Sequence, residues 1–318
     1  MKRISSVIVI ACILGATLCA QSLRRTQHTV PSGRYRLEAE LVMPAAGADE
    51  KGAVVFSVGS RDANFRHYTP GFTETLLEGV FLPRDTAVLY FNKRGVGRST
   101  GNWKWSSMES RADDVLAAVD YLRTLPDIDP DRIGLVGHSQ GGWVVRLAGS
   151  RDQRIQYAIS LAGPIVNVEE HDLKRVELGL RCEGLTEEDI AKEVEKRKRS
   201  LRRKITFGRI FPFFEFRLMR NILQYNPGPA IRALSQPTLL AFGGSDPMAP
   251  VDQNRLRFDD IFSNAVPDHI TWYVEPGTDH MFRLASSYCF DYSGNASPPY
   301  SESFVEFLGT WVDEATVE

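Results

Sequence analysis

The chain predicts an α/β fold, a mostly parallel, twisted sheet with helices on both faces. Three observations carry that expectation. Short apolar runs such as Ala53-Val54-Val55-Phe56-Ser57-Val58 and Ala87-Val88-Leu89-Tyr90-Phe91 alternate with segments of helical spacing, the rhythm of buried parallel strands and their crossover helices. Each run ends in a turn-rich stretch, Gly59-Ser60 after the first and Asn92-Lys93-Arg94-Gly95 after the second. A third run, Arg132-Ile133-Gly134-Leu135-Val136, leads through Gly137-His138-Ser139-Gln140-Gly141 into Gly142-Trp143-Val144-Val145-Arg146-Leu147-Ala148. A G-x-S-x-G therefore sits between a strand and a helix.

The N-terminus is set apart from this core. Lys2 and Arg3 precede an apolar run from Ile4 to about Ala20, and Gln21-Ser22-Leu23-Arg24-Arg25 then turns polar. A basic start, an apolar stretch of about 15 residues and a small residue at its end describe a signal peptide over 1–20. The run falls short of the ~20 residues of a spanning helix, and an uncleaved membrane anchor is the alternative. The expected location is periplasmic or extracellular. Val9-Ile10-Ala11-Cys12 also has the look of a lipoprotein box, with few apolar residues ahead of the cysteine. Cleavage would remove Cys12 and Cys19 and leave Cys182 and Cys289. In an exported protein these form a disulfide or stay as buried thiols, and spacing does not choose between the two. Asn295-Ala296-Ser297 is a formal glycosylation acceptor.

Further along, Tyr35 to Val42 alternates as a half-buried strand should, and Phe72 to Phe81 has helical spacing. Ser106 and Glu109 have the spacing of a capping box for a helix with Val115, Val119 and Leu122 on its apolar face. Pro126 and Pro130 punctuate the loop before the strand that leads to Ser139. Ile155–Ala162, Pro237–Phe242 and His269–Val274 read as strands, Asp252–Phe262 and Ser301–Val312 as helices. The mature chain thus divides into a core of two parts, 21–166 and 235–318, and an insertion, 167–234.

The insertion has no strand signal, and a structureless loop of that length is improbable, so it is helical. Thr186 can cap a helix with Glu187, Glu188 and Asp189 in its first turn. Ile190, Val194, Leu201 and Ile205 form its narrow apolar stripe, and its far end is the basic run Lys196 to Lys204. Phe207, Phe211, Phe213, Phe214 and Phe216 follow, suited to an apolar acyl pocket or to core packing. Acids at the start and bases at the end complement the helix dipole, so a solvated charged face explains the run. Peripheral contact with an anionic membrane, or attraction of anionic substrates, is the alternative. Over 318 residues the chain is 43% apolar and 25% charged with a formal net charge of −2, a globular composition that gives no reason to expect a nucleic-acid partner.

The G-x-S-x-G turn lifts the Ser139 hydroxyl above the sheet, with glycines where a Cβ would strike backbone. A serine hydroxyl is a weak nucleophile until a base takes its proton, and in this architecture the chain order is serine, acid, histidine. His280, in Gly277-Thr278-Asp279-His280 just after a strand, fits the base. His28 and His67 precede the serine, His138 should point away from it, His171 lies in the insertion, and His269 begins a strand. Asp246 ends Gly243-Gly244-Ser245-Asp246 after another strand and fits the acid. Asp252 and Asp279 are better explained as a helix cap and a turn residue. The oxyanion needs preorganised N–H donors. One is expected from the backbone of Gln140, the other from the loop after Val58, at Ser60 or else Arg61.

Taken together, these motifs resemble the α/β-hydrolase superfamily, its secreted bacterial esterase-like members in particular, over nearly the whole mature chain. The resemblance implies a serine hydrolase with a Ser139–His280–Asp246 triad acting on a small acyl substrate, without metal or cofactor. It also implies that 167–234 is a lid over the site. Arg94-Gly95-Val96-Gly97-Arg98-Ser99 is similar to the family's Arg-Gly-x-Gly-x-Ser turn, which is usually structural. The sequence departs from many relatives at Val58-Gly59, where they carry His-Gly. A peptidase or amidase with the same triad and a non-catalytic binding protein of the same fold are the rivals. Trp103, Trp105 and Trp143 are candidates for the pocket wall or for the core.

Overall fold

The computed structural model describes residues 23–44, 50–210, 221–223, 225–263, 265–289 and 297–317. The expected signal peptide, the phenylalanines from Phe211 to Phe216, and Asn295 and Ala296 of the glycosylation triplet lie outside them.

Among the described residues eight strands form one sheet: β1 (Arg24–Ser32), β2 (Tyr35–Met43), β3 (Lys51–Ser57), β4 (Thr86–Phe91), β5 (Ile128–His138), β6 (Ala158–Leu161), β7 (Thr238–Gly243) and β8 (Ile270–Glu275). Their order is β1-β2-β4-β3-β5-β6-β7-β8. The β1/β2 and β2/β4 pairs are antiparallel, and every pair from β4 to β8 is parallel. Strand β3 is buried along its whole length. Ala53 and Val55 face one apolar cluster, Val54 and Phe56 the other, as the period of two requires of a strand covered on both faces.

The main helices are α1 (Met108–Leu122), α2 (Gln140–Gly149), α3 (Val168–Cys182), α4 (Glu187–Ile210), α5 (Val251–Phe262) and α6 (Glu302–Ala315). Val115, Val119 and Leu122 of α1 and Val145 and Ala148 of α2 cover one face of the sheet. Phe72, Leu76, Val80 and Phe81 join Phe304, Leu308 and Val312 of α6 on the other.

Two sequence expectations need correction. The polar stretch after residue 23 is a strand, paired with β2 from Arg24↔Met43 to Ser32↔Tyr35. It is an edge strand whose inward side carries Thr26 and His28 ahead of Val30, so it lacks the apolar alternation by which buried strands are recognised. The capping box of α1 lies one residue on from Ser106 and Glu109. Ser107 Oγ accepts from the Ser110 N–H (3.2 Å) and Ser110 Oγ from the Ser107 N–H (3.0 Å). A serine hydroxyl thereby fills the place of the longer acceptor.

The insertion is helical. The Thr186 hydroxyl accepts from the Asp189 N–H at 3.2 Å. Ile190 and Leu201 of α4 are buried, Val194 is half-buried, and Ile205 packs against the core. Cys182, at the end of α3, forms a disulfide with Cys289 (Cα–Cα 5.3 Å), tying the insertion to the segment after β8. None of the described helices is long and apolar enough to cross a membrane. The disulfide closes a loop with a sequence separation of 107. Replacing both cysteines by serine is expected to lower unfolding free energy by about 2–5 kcal/mol. Chemical denaturation of both forms measures this, and coincident curves would show that the bond contributes nothing.

Candidate active site

Between β5 and α2 the chain reverses at Ser139, whose backbone sits at φ 55°, ψ −119°. A non-glycine residue held there costs roughly 1–3 kcal/mol, which neighbouring structure must sustain. The Ser139 N–H donates to the Leu161 carbonyl (2.8 Å), and its own carbonyl accepts from the Gly142 N–H (2.9 Å). A Cβ on Gly137 would collide with the Gly141 carbonyl, and one on Gly141 with the Ser57 carbonyl. Two glycines therefore let β3, β5 and α2 close around the bend.

Asp246 follows β7, and His280 lies in the loop after β8. The His280 Nδ1–H donates to Asp246 Oδ2 at 2.7 Å, with both residues buried. Asp246 Oδ1 accepts from the N–H groups of Met248 (2.6 Å) and Ala249 (3.0 Å), so the carboxylate is held from both sides. With Nδ1 bound in this way, Nε2 carries the lone pair. Among the described residues no hydrogen bond joins Ser139 Oγ to His280 Nε2, a contact that such sites often make only with substrate present. The other acids have structural tasks. Asp279 Oδ1 accepts from the Met281 (2.7 Å) and Arg283 (2.8 Å) N–H groups to close the turn, and Asp252 sits in the first turn of α5.

The imidazole of His138 is buried, with its ring centroid 4.9 Å from that of His280. The Gly59 N–H donates to the Tyr68 hydroxyl (3.0 Å), and that hydroxyl is 2.7 Å from His138 Nδ1. His138 Nε2 is 2.9 Å from the His280 carbonyl. A carbonyl only accepts, so Nε2 carries the proton and Tyr68 donates to Nδ1. One chain of hydrogen bonds thus joins the loop after β3, the serine bend and the His280 loop. Burial, together with the nearby His280, pulls His138 from 6.5 down to about 3, so it stays neutral and in one tautomer at ordinary pH.

Lys93 sets the loop after β3. Its Nζ donates to the carbonyls of Gly59 (2.6 Å) and Arg61 (2.5 Å). In a trans peptide the N–H points opposite to the carbonyl, and the described chain has no cis bond. The Ser60 N–H is therefore turned away from Lys93. The Gly59 N–H is committed to Tyr68, and the ideal Cβ position of Gly59 lies 3.6 Å from Ser139 Cβ. Ser60 thus follows a residue beside the serine, with its amide free of Lys93. Gln140 begins α2, where the first N–H groups of a helix lack intrahelical partners.

The turn Arg94 to Ser99 braces this arrangement from behind. Glu38 accepts from the Arg98 N–H (2.8 Å), Asn92 Nδ2 (2.9 Å) and Arg66 Nε (3.0 Å). Burial alone would raise the Glu38 pKa, but these donors hold it at about 2. Neither Tyr68 nor Lys93 has periodicity or spacing in the sequence that points to a task, although Lys93 lies in the turn-forming stretch from Asn92 to Ser99.

A cavity of about 820 Å³ opens over Ser139, Gln140 and Ser60. Trp103, Trp143, Val168, Leu201, Ile222 and Leu223 give it apolar walls. Residues of α3 and α4 line its roof, His171 among them, edge-on to Trp143 at 5.5 Å between ring centroids. Of the three tryptophans weighed for the wall or the core, Trp103 and Trp143 line the cavity and Trp105 is 53% exposed, while Phe207 is 49% exposed. The basic run divides. Arg197 and Lys204 line the cavity, whereas Lys196, Arg199, Arg202 and Arg203 lie on the exposed face of α4.

Solved structures share this architecture. Est1E of Butyrivibrio proteoclasticus, with ferulic acid bound, aligns with a TM-score of 0.60 at 18% identity over 92% of this chain and 100% of that one. An esterase of Pyrococcus furiosus gives 0.59 at 16% identity over 93% and 92%. The chain has the α/β-hydrolase fold. A model of the prolyl oligopeptidase family matches residues 77–204 of this chain, a span that contains Ser139 and ends before Asp246. An uncharacterized 31.7 kDa Escherichia coli protein from the traX-finO intergenic region is 24% identical over 212 residues, 61% of this chain and 72% of its own.

The low pKa of His138 gives a prediction with a definite sign. Its folded value, about 3, lies below the ordinary 6.5, so unfolding takes up a proton between those values. The contribution is complete above the unfolded pKa and is lost as pH falls toward the folded one. His138→Gln, which retains a donor and an acceptor, is expected to be less stable than the parent at pH 7. It should also lose less stability on acidification to about pH 4.5. Urea midpoints at the two pH values measure this, and equal slopes for both proteins would contradict the assigned neutral imidazole.

Proposed function

We propose that the protein is an exported serine hydrolase that cleaves carboxylic esters through an acyl-enzyme. The observation that carries this is the Asp246–His280 pair at 2.7 Å, on the same rim of the sheet as the strained bend at Ser139. Ser139 Oγ attacks the acyl carbonyl while His280 Nε2 takes its proton, and Asp246 holds the imidazolium that results. The Gln140 and Ser60 N–H groups receive the oxyanion, each such donor contributing about 2.7–4 kcal/mol in the transition state. The alcohol leaves with the proton from His280, and the same imidazole then activates the water that releases the acid.

The apolar walls of the cavity suit an acyl or alcohol portion of modest size, and the likeness to the Pyrococcus furiosus esterase agrees with ester chemistry. The Cys182–Cys289 bond and the apolar run after Lys2 and Arg3 support an oxidising compartment outside the cytoplasm. Helices α3 and α4 act as the lid.

The match to the prolyl oligopeptidase family favours a second reading, a peptidase or amidase using the same residues, because fold and triad do not select ester over amide. Ser139→Ala is expected to lower 4-nitrophenyl acetate turnover by at least about 10³-fold with the fold retained by circular dichroism. Turnover that survives the substitution would remove Ser139 as nucleophile. Matched ester and anilide substrates of the same acyl group decide between the two readings. A kcat/KM that favours the anilide would establish the second.

A further inference from the structure

The cleft over Ser139 carries a charge that ester hydrolysis alone does not require. Among the described residues, six cationic side chains line it, Arg61, Lys104, Arg111, Arg175, Arg197 and Lys204, against two carboxylates, Asp62 and Asp172. Asp172 is already engaged by Arg197 (2.7 and 3.0 Å) and Arg175 (3.4 Å). Among the described residues, Arg61, Lys104, Arg111 and Lys204 make no ion pair.

Arg111 is the informative member. It projects from α1, is 5% exposed, and reaches the cleft beside Ser139 and Gln140. Its Nη1 donates to Gln140 Oε1 and its Nη2 to the Trp103 carbonyl at 3.4 Å. Both acceptors are neutral, and Nε is buried without a partner. The nearby carboxylate of Asp114 is taken by Arg94 (2.7 Å) and Ser32 (2.5 Å). Burial lowers the Arg111 pKa to about 10, which leaves it charged at neutral pH. Behind it, Lys93 is also buried, with carbonyls as its partners. Asp114 attracts Arg111 through space but does not hydrogen-bond it; burying a guanidinium with no hydrogen-bonded carboxylate is costly, and an arriving anion relieves that cost.

We infer that the cleft takes acyl substrates bearing an anionic group, a carboxylate in the simplest case, which docks at Arg111 while Trp143, Leu201 and Leu223 hold the apolar part. Arg61, Lys104 and Lys204 extend the positive field to the mouth and draw such substrates in. Arg111 bonds the side chain of the residue after the nucleophile, so an anion a few bonds from the scissile carbonyl reaches it. This rests on Ser139 as nucleophile, and it narrows the substrate class of that reaction.

The test compares kcat/KM for mono-4-nitrophenyl adipate with that for its methyl ester, of matched length and no charge. The anionic ester is expected to be favoured by about tenfold or more at low ionic strength, as a charge-assisted hydrogen bond provides. That preference should shrink as salt screens the mouth. Arg111→Gln is expected to bring the ratio close to one. Lys204→Gln, at the rim, should lower it about two- to threefold. Binding of monomethyl adipate to Ser139→Ala and to Ser139→Ala/Arg111→Gln, followed by tryptophan fluorescence, gives a readout independent of turnover and should weaken about tenfold in the double variant. Equal kcat/KM for the two esters in a protein whose Ser139 reacts with a fluorophosphonate would overturn the anionic subsite and leave the serine hydrolase intact. Adipate affinity unaffected by loss of Arg111 would overturn it equally. Failure of Ser139 to react with the fluorophosphonate would count against the reaction itself.

Discussion

The backbone of one residue governs the rest of this site. Ser139 at φ 55°, ψ −119° is a conformation that no side chain adopts unaided, and it persists because everything around it is closed tight. Gly141 brings the bend against the end of β3 and Gly137 lets β5 close on α2, and a Cβ on either would meet a carbonyl. The Leu161 carbonyl takes the Ser139 N–H at 2.8 Å. The strain is thus sustained by sheet packing and turned into position. The hydroxyl stands on the rim at the start of a helix, where unpartnered N–H groups and the helix dipole favour negative charge.

Geometry at the bend would be useless if the other two loops wandered. A hydrogen-bonded chain from Gly59 through Tyr68 and His138 to the His280 carbonyl ties both to the bend. His138 is able to bridge them because burial keeps it neutral, with one nitrogen accepting and the other donating. Lys93 works on the same loop from the opposite side, drawing two carbonyls inward and so turning the Ser60 amide away from itself. The disulfide adds a constraint of longer range, fastening α3 to the segment that follows His280.

Much of this was legible in the sequence, for a physical reason. Ser139, Asp246 and His280 each follow an apolar strand within a few residues, and a parallel sheet gathers the ends of its strands on one edge. Local pattern therefore placed residues more than a hundred positions apart in one neighbourhood. What stayed hidden depends on three-dimensional contact. The strand β1 was missed because an edge strand need not be apolar. The capping box was displaced by one residue because Ser110 does the work expected of Glu109. Tyr68, Lys93 and Arg111 belong to no motif that states their task, and their roles exist only once three loops meet. Trp105 and Trp103 are alike in sequence, yet of the two it is Trp103 that lines the cavity. The pairing of Cys182 with Cys289 likewise required the position of α3.

We propose that the Ser139 bend, the Ser60 amide and the His280 imidazole form one preorganised unit. A crystal structure of the protein after reaction with a fluorophosphonate tests it most directly. Phosphorus is expected to be bonded to Ser139 Oγ, with the phosphoryl oxygen about 3 Å from the Gln140 and Ser60 backbone nitrogens. His280 Nε2 is expected within hydrogen-bond reach of the bound oxygen, and the Gly59–Tyr68–His138–His280 chain unbroken. A phosphoryl oxygen turned toward solvent, or an adduct on another residue, would contradict it.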